Sequence, residues 1–149
     1  MKKYKVLLVD DEAEIRECLQ IIAQHSDLDF VQARNGEEGL RLILENSFDC
    51  VVSDIKMPRM TGLEMLSKAR AAGRDVPMVF ISAFATEEMS NDVSNFGAVK
   101  LLHKLDLLKV RERIQEAIEL GEALKVIHAA NDPMGEDFIQ IMHRTGTPK

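Results

Sequence analysis

Apolar residues along this chain gather in short unbroken runs, and between the runs they recur every three or four positions. The runs are KVLLVD at 5–10, DFVQA at 29–33, DCVVSD at 49–54, PMVFIS at 77–82 and AVKLL at 98–102. Each has the length of a strand and is too short for an ordinary helix. Between them Ile15, Cys18, Leu19 and Ile22 mark one helix face, and Met89, Val93 and Phe96 mark another. The pattern predicts a strand-helix unit repeated five times. Local chemistry agrees, because Asn35 precedes Glu38 and Thr61 precedes Glu64 by the spacing of a helix-capping pair.

Strands made of continuous Val, Leu and Ile need cover on both faces, which predicts a parallel sheet between helix layers with right-handed crossovers. Ligands of such sheets sit beyond the carboxyl ends of the strands. Strand one ends in Asp10, Asp11 and Glu12, strand three in Asp54 and strand four in Ser82, and Lys104 follows strand five. Taken singly, each has an ordinary use: Asp11 as a helix N-cap, Ser82 as a turn residue, Lys104 as a solvated cation. Convergence on one edge from four distant segments argues instead for a shared role.

Carboxylates brought together repel, by ~4 kcal/mol for a pair at ~4 Å and an effective dielectric of ~20. A cation therefore belongs among Asp10, Asp11 and Asp54. An all-oxygen set completed by a backbone carbonyl and waters suits Mg²⁺, which keeps several waters and engages phosphate oxygens. With Lys104 on the other side, the set forms a clamp for a transferring phosphoryl group. An Asp can accept that group, and the Ser82 hydroxyl can hold a further oxygen.

In this order and spacing the residues resemble the receiver domains of two-component response regulators. VDDE at 9–12 matches the family's acidic pair, SDIKMPRMTG at 53–62 its phosphoacceptor loop, ISA at 81–83 its strand-four hydroxyl and GAVKLLHK at 97–104 its strand-five lysine. The resemblance runs from about residue 4 to about residue 128. It implies an α/β fold of the chemotaxis-regulator type: a doubly wound five-stranded parallel sheet, helices on both faces, in the flavodoxin-like strand order 2-1-3-4-5. It also implies Asp54 as phosphoacceptor, Asp11 as a direct Mg²⁺ ligand, Asp10 as a second acid acting partly through water and the Lys56 carbonyl as a further ligand. Ser82 and Lys104 would hold the phosphoryl group, and Phe84 and Lys56 would border the path of the hydrolytic water. The chemistry implied is the chain's own phosphorylation and dephosphorylation, not turnover of a metabolite.

The partners implied are a sensor histidine kinase or phosphotransfer protein upstream and an effector protein downstream, with a homodimer also compatible. They would be read at a face formed by the fourth helix, fifth strand and fifth helix. In the loop, Met57, Pro58 and Gly62 are expected to shape the site, Pro by fixing a turn and Gly by backbone freedom. Two positions depart from the family. Leu101 stands where the family's switch usually has an aromatic residue, and Leu105 stands where a proline, with its cis peptide, usually follows the lysine, which leaves open whether the usual switch operates.

Three other readings compete. A flavin binder on the same sheet would cradle a phosphate in its first loop, where the acids at 10–12 would repel it. A phosphatase with an aspartyl nucleophile on strand one would carry a second acid two positions later, and Glu12 is a poor substitute. A receiver-like module that binds partners without being phosphorylated is favoured by Leu101 and Leu105 and opposed by the complete set Asp10, Asp11, Asp54, Ser82 and Lys104.

Composition narrows the partners further. A chain of 149 residues with 46% hydrophobic and 30% charged residues suits one globular domain, expected at 1–128 with a tail at 129–149. A formal net charge of -6 argues against direct nucleic-acid binding. The first apolar run stops at Asp10, too early for a signal peptide, and no run reaches the length of a membrane span; these features predict a cytoplasmic protein that does not bind membranes. Cys18 and Cys50 have no metal or disulfide spacing and are expected as two buried thiols, and the four histidines are scattered. Leu107, Val110, Ile114, Ala117, Gly121 and Leu124 predict a last helix over about 107–128. EDFIQIMHR at 136–144 predicts a short amphipathic helix in the tail. No separate output domain fits, so a stand-alone receiver and the receiver part of a longer regulator are both compatible.

Overall fold

Val6, Leu7, Leu8 and Val9 are all fully buried. Successive side chains of a strand point to opposite faces, so burial of all four requires a helix layer on each side. Their strand, β1 (Tyr4–Val9), lies inside the sheet of a computed structural model that describes residues 2–83 and 99–131. It is followed by α1 (Ala13–Ala23), β2 (Leu28–Ala33), α2 (Gly36–Glu45), β3 (Cys50–Asp54), α3 (Gly62–Ala71) and β4 (Met78–Ser82). After residues 84–98 come β5 (Val99–His103), a 3₁₀ segment (Lys104–Lys109) and the last helix (Val110–Asn131). The predicted helix around Met89, Val93 and Phe96, the position of Phe84, and the tail helix at 136–144 lie outside the described residues.

All strand pairs are parallel, in the order β2-β1-β3-β4-β5. This is the flavodoxin-like order expected, and each predicted strand agrees with an observed one to within one residue at either end. Alternation divides the interior in two. Val6, Leu8, Val52, Val79 and Ile81 pack with Leu19, Ala23, Val110, Ile114 and Ala117 on one face. Leu7, Val9, Val51, Met78 and Phe80 pack with Ile43, Met65, Leu66 and Ala69 on the other. Among the described residues no helix is long and apolar enough to cross a membrane.

Two expectations need correction. Cys50 is buried, but Cys18 is exposed. It sits about 100° around α1 from the buried Leu19, at the margin of the apolar stripe. The last helix starts at Val110 rather than near 107, because the preceding six residues wind as a 3₁₀ turn with Asp106 out of helical geometry at φ -108°, ψ 26°. It also runs on to Asn131.

Candidate functional site

The chain leaves β1 for β2 on one side and later places β3 on the other, so the crevice of this sheet opens between the carboxyl ends of β1 and β3. Register decides what arrives there. Val9 pairs with Ser53, so Asp10 and Asp54 are the next residues along their two strands. Asp54 pairs with Ile81, and Ser82 pairs with His103, which brings Lys104 one step beyond. The convergence expected from sequence is thus a property of the pairing.

Carboxylate oxygens of Asp10, Asp11 and Asp54 lie within 4.8 Å of one another. Asp10 is 1% exposed and Asp54 7%, while Asp11 is exposed. Asp54 Oδ1 accepts the Lys56 N–H at 3.2 Å, and Oδ2 lies 3.6 Å from Lys104 Nζ. Ser82 is buried at the end of β4. Asp11 is not the helix cap, because that position belongs to Glu12, which makes no side-chain capping bond.

Asp10 is engaged at three of its four polar atoms. Its N–H donates to the Ala33 carbonyl at 3.2 Å, its Oδ1 accepts the Glu12 N–H at 2.9 Å, and its carbonyl accepts from Arg16 Nη1 at 2.6 Å. The fourth atom, Oδ2, is buried and finds no hydrogen-bond partner among the described residues. Burial, reinforced by Asp54 and Asp11 and opposed by the Glu12 N–H and Lys104, raises the carboxyl to about 6. A buried oxygen of this kind among acids is what a bound cation would satisfy.

The loop after β3 holds Asp54 from behind. The Gly62 N–H donates to the Ile55 carbonyl at 2.8 Å, and a Cβ on Gly62 would press into the Asp54 carbonyl oxygen and lie 2.9 Å from the Phe80 ring. Space, rather than the conformational freedom expected, is why glycine stands here: the positive-φ glycine among the described residues is Gly73. The turn at Pro58 is closed by the Met60 N–H on the Pro58 carbonyl at 2.8 Å, with Arg59 at φ 66°. The next helix is then capped as expected, Thr61 Oγ1 accepting the Glu64 N–H at 3.1 Å.

On the lysine side, the Leu105 N–H donates to His103 Nδ1 at 3.0 Å, a bond that a proline at 105 would lack. No cis peptide occurs among the described residues. Leu101 is partly buried against the core cluster of α2 and α3. Sequence reasoning passed over Arg16 and Gln32, whose only signal is an arginine one turn into α1 and a glutamine within β2.

A doubly wound sheet of this order, with an acid cluster at its switch point and a lysine opposite, is an α/β domain with a candidate cation- and phosphate-binding edge. A sequence model of the response regulator receiver domain matches residues 6–119, and the chain belongs to that family of two-component signalling domains. It is 31% identical over 121 residues to the response regulator PilR of Pseudomonas aeruginosa, covering 80% of this chain and 27% of that protein. It is 36% identical over 140 residues to a protein-glutamate methylesterase/protein-glutamine glutaminase of Geobacillus kaustophilus, covering 87% and 38%. The chain thus spans well under half the length of these two relatives. Among solved structures, the Francisella response regulator 1452 receiver domain superposes with a TM-score of 0.72 at 25% identity, covering 78% of this chain and 98% of that one. The Thermotoga maritima response regulator TrrA, solved in complex with Mg²⁺-BeF, gives 0.66 at 28% identity, covering 78% and 99%.

Proposed function

We propose that this chain is a phosphorylation-dependent switch in which Asp54 accepts a phosphoryl group from a phosphohistidine of a sensor kinase or phosphotransfer protein. The observation that carries this reading is the setting of Asp54, a nearly buried carboxylate with two acids on one side and Lys104 3.6 Å away on the other. The donor set is hard oxygen throughout and includes the unpartnered Asp10 Oδ2, which fits Mg²⁺. Asp10, Asp11, Asp54 and the Lys56 carbonyl would hold the ion. When bound, it offsets the charge of the acids and of the incoming phosphoryl oxygens.

The chain's own groups do the rest. The Lys56 N–H orients the Asp54 carboxylate. An Asp54 oxygen forms the new O–P bond as the donor's N–P bond breaks, and the departing imidazole takes up a proton. Lys104 and the Ser82 hydroxyl bind phosphoryl oxygens, Lys104 through charge-assisted bonds roughly twice as strong as neutral ones. Leu101 has neither ring nor hydroxyl and cannot alternate between hydrogen-bonded orientations. Inward movement of Ser82 and Lys104 therefore carries the signal, with weaker coupling to the downstream partner.

The test is incubation with a small phosphodonor and Mg²⁺ followed by intact-mass measurement. One acid-stable, base-labile phosphoryl group is expected, absent in Asp54→Asn and in excess chelator. Modification persisting in Asp54→Asn would overturn the assignment, and an unmodified wild-type chain would favour a binding module that works without phosphorylation.

A further inference from the structure

We infer that Arg16 is a positioning residue for the acid pair: its guanidinium fixes the Asp10–Asp11 peptide so that both carboxylates face the cation site, and Gln32 holds the guanidinium in place. The inference rests on the reading of Asp10, Asp11 and Asp54 as a Mg²⁺ site.

The turn from β1 into α1 is tied by the Glu12 N–H on Asp10 Oδ1, while the cap residue Glu12 makes no side-chain bond to the helix. Arg16, one turn into α1, reaches back instead and donates from Nη1 to the Asp10 carbonyl at 2.6 Å. Its Nε donates to Gln32 Oε1 at 3.1 Å, and Gln32 Nε2 donates to Gln20 Oε1 at 2.9 Å. This partly buried row ties α1 to β2 through a guanidinium whose planar fork sets two bond directions at once.

A peptide group is planar, so holding the Asp10 carbonyl also holds the Asp11 nitrogen and the two Cα atoms that bear the acidic side chains. With Asp10 N–H on Ala33 and Oδ1 on the Glu12 N–H, the Arg16 bond completes a set that leaves Oδ2 as the one polar atom of Asp10 without a partner among the described residues. Arg16 bonds a carbonyl rather than a carboxylate here, so it takes no ligand oxygen from the cation. Partners of this outer kind typically alter metal affinity by about 10–100-fold.

The experiment titrates Mg²⁺ into the full chain by calorimetry and measures the initial phosphorylation rate against Mg²⁺ concentration with a small phosphodonor. Arg16→Ala is expected to weaken Mg²⁺ binding by about tenfold or more. It should raise the half-saturating Mg²⁺ concentration by the same factor and leave the rate at saturation unchanged. Arg16→Lys, which keeps the charge but loses the fork, should fall between it and wild type. Gln32→Leu should weaken binding less than Arg16→Ala. The double variant should be no weaker than Arg16→Ala, because Gln32 acts through Arg16. Glu17→Ala, exposed on the same helix, should match wild type.

Wild-type Mg²⁺ affinity in a folded Arg16→Ala chain overturns the inference while the metal site stands. A lower saturated rate with unchanged half-saturation also overturns it. Should Arg16→Ala not fold, wild-type affinity in both Arg16→Lys and Gln32→Leu has the same force. A wild-type chain that binds no Mg²⁺ removes the metal site and the inference together.

Discussion

Asp10 shows how a single carboxyl ties stability to the site's chemistry. Its folded-state value of about 6 lies above the ordinary aspartate value of 3.8. Between those two pH values the folded chain holds a proton that the unfolded chain has released. Stability without metal should therefore fall as pH rises through the window of about 4 to 6 and then level off, at a cost on the order of 3 kcal/mol near neutrality. Denaturant titrations in chelated buffer at pH 5 and pH 7.5 measure this, and Asp10→Asn should flatten the difference. Since a cation favours the ionised form, added Mg²⁺ should raise the thermal midpoint far more at pH 7.5 than at pH 5. Equal shifts at both pH values would contradict the assignment of Asp10 to the cation site.

The segment from β3 into α3 is where sequence and structure can be compared most closely. Cys50 through Asp54 is legible as a strand because Cys50, Val51 and Val52 form a short apolar run of strand length, and the Thr61–Glu64 spacing marks the next helix as clearly. The meeting of Asp10, Asp54, Ser82 and Lys104 at one edge is legible because each ends or follows a strand run, and parallel register brings those ends together. Gly62 was read correctly as a shaping residue but for the wrong cause. What excludes a side chain is the Asp54 carbonyl, and no local pattern encodes that approach. Arg16 and Gln32 escaped for a related reason, being neighbours only once α1 packs beside β2. Gly62→Ala should cost about 2–3 kcal/mol through overpacking, and should slow phosphorylation because the group displaced is the backbone of the proposed acceptor. Chemical denaturation together with the phosphodonor assay tests both effects, and a neutral result in the two would show that the loop gives way freely.

The two edges of the sheet differ in character. The acid cluster occupies the carboxyl edge of the sheet. At the opposite edge a groove of about 380 Å³ runs between the last helix, at Gly121, Leu124, Lys125 and His128, and the α3–β4 connection at Gly73 to Pro77. Gly121 permits that packing, since a Cβ there would lie 2.5 Å from the Pro77 ring. The helix wall of this groove continues to Asn131, past residue 119 where the family match stops.

Close to the groove, Cys50 opens β3 fully buried, and burial pushes its thiol well above the usual range, whereas Cys18 stands exposed on α1. In disulfide exchange the thiolate attacks the reagent, so Cys50, buried and held as the thiol, is out of reach in the folded chain, whereas the exposed Cys18 is within reach. A chain with no Trp thereby carries one native attachment point for a fluorophore or spin label, two turns from the acid cluster and needing no engineered cysteine. Titration with an aromatic disulfide should release one equivalent at once. The second should follow only as fast as β3 opens, and more slowly when Mg²⁺ is present. The rate of that second release makes Cys50 a built-in clock for unfolding of the strand that bears Asp54.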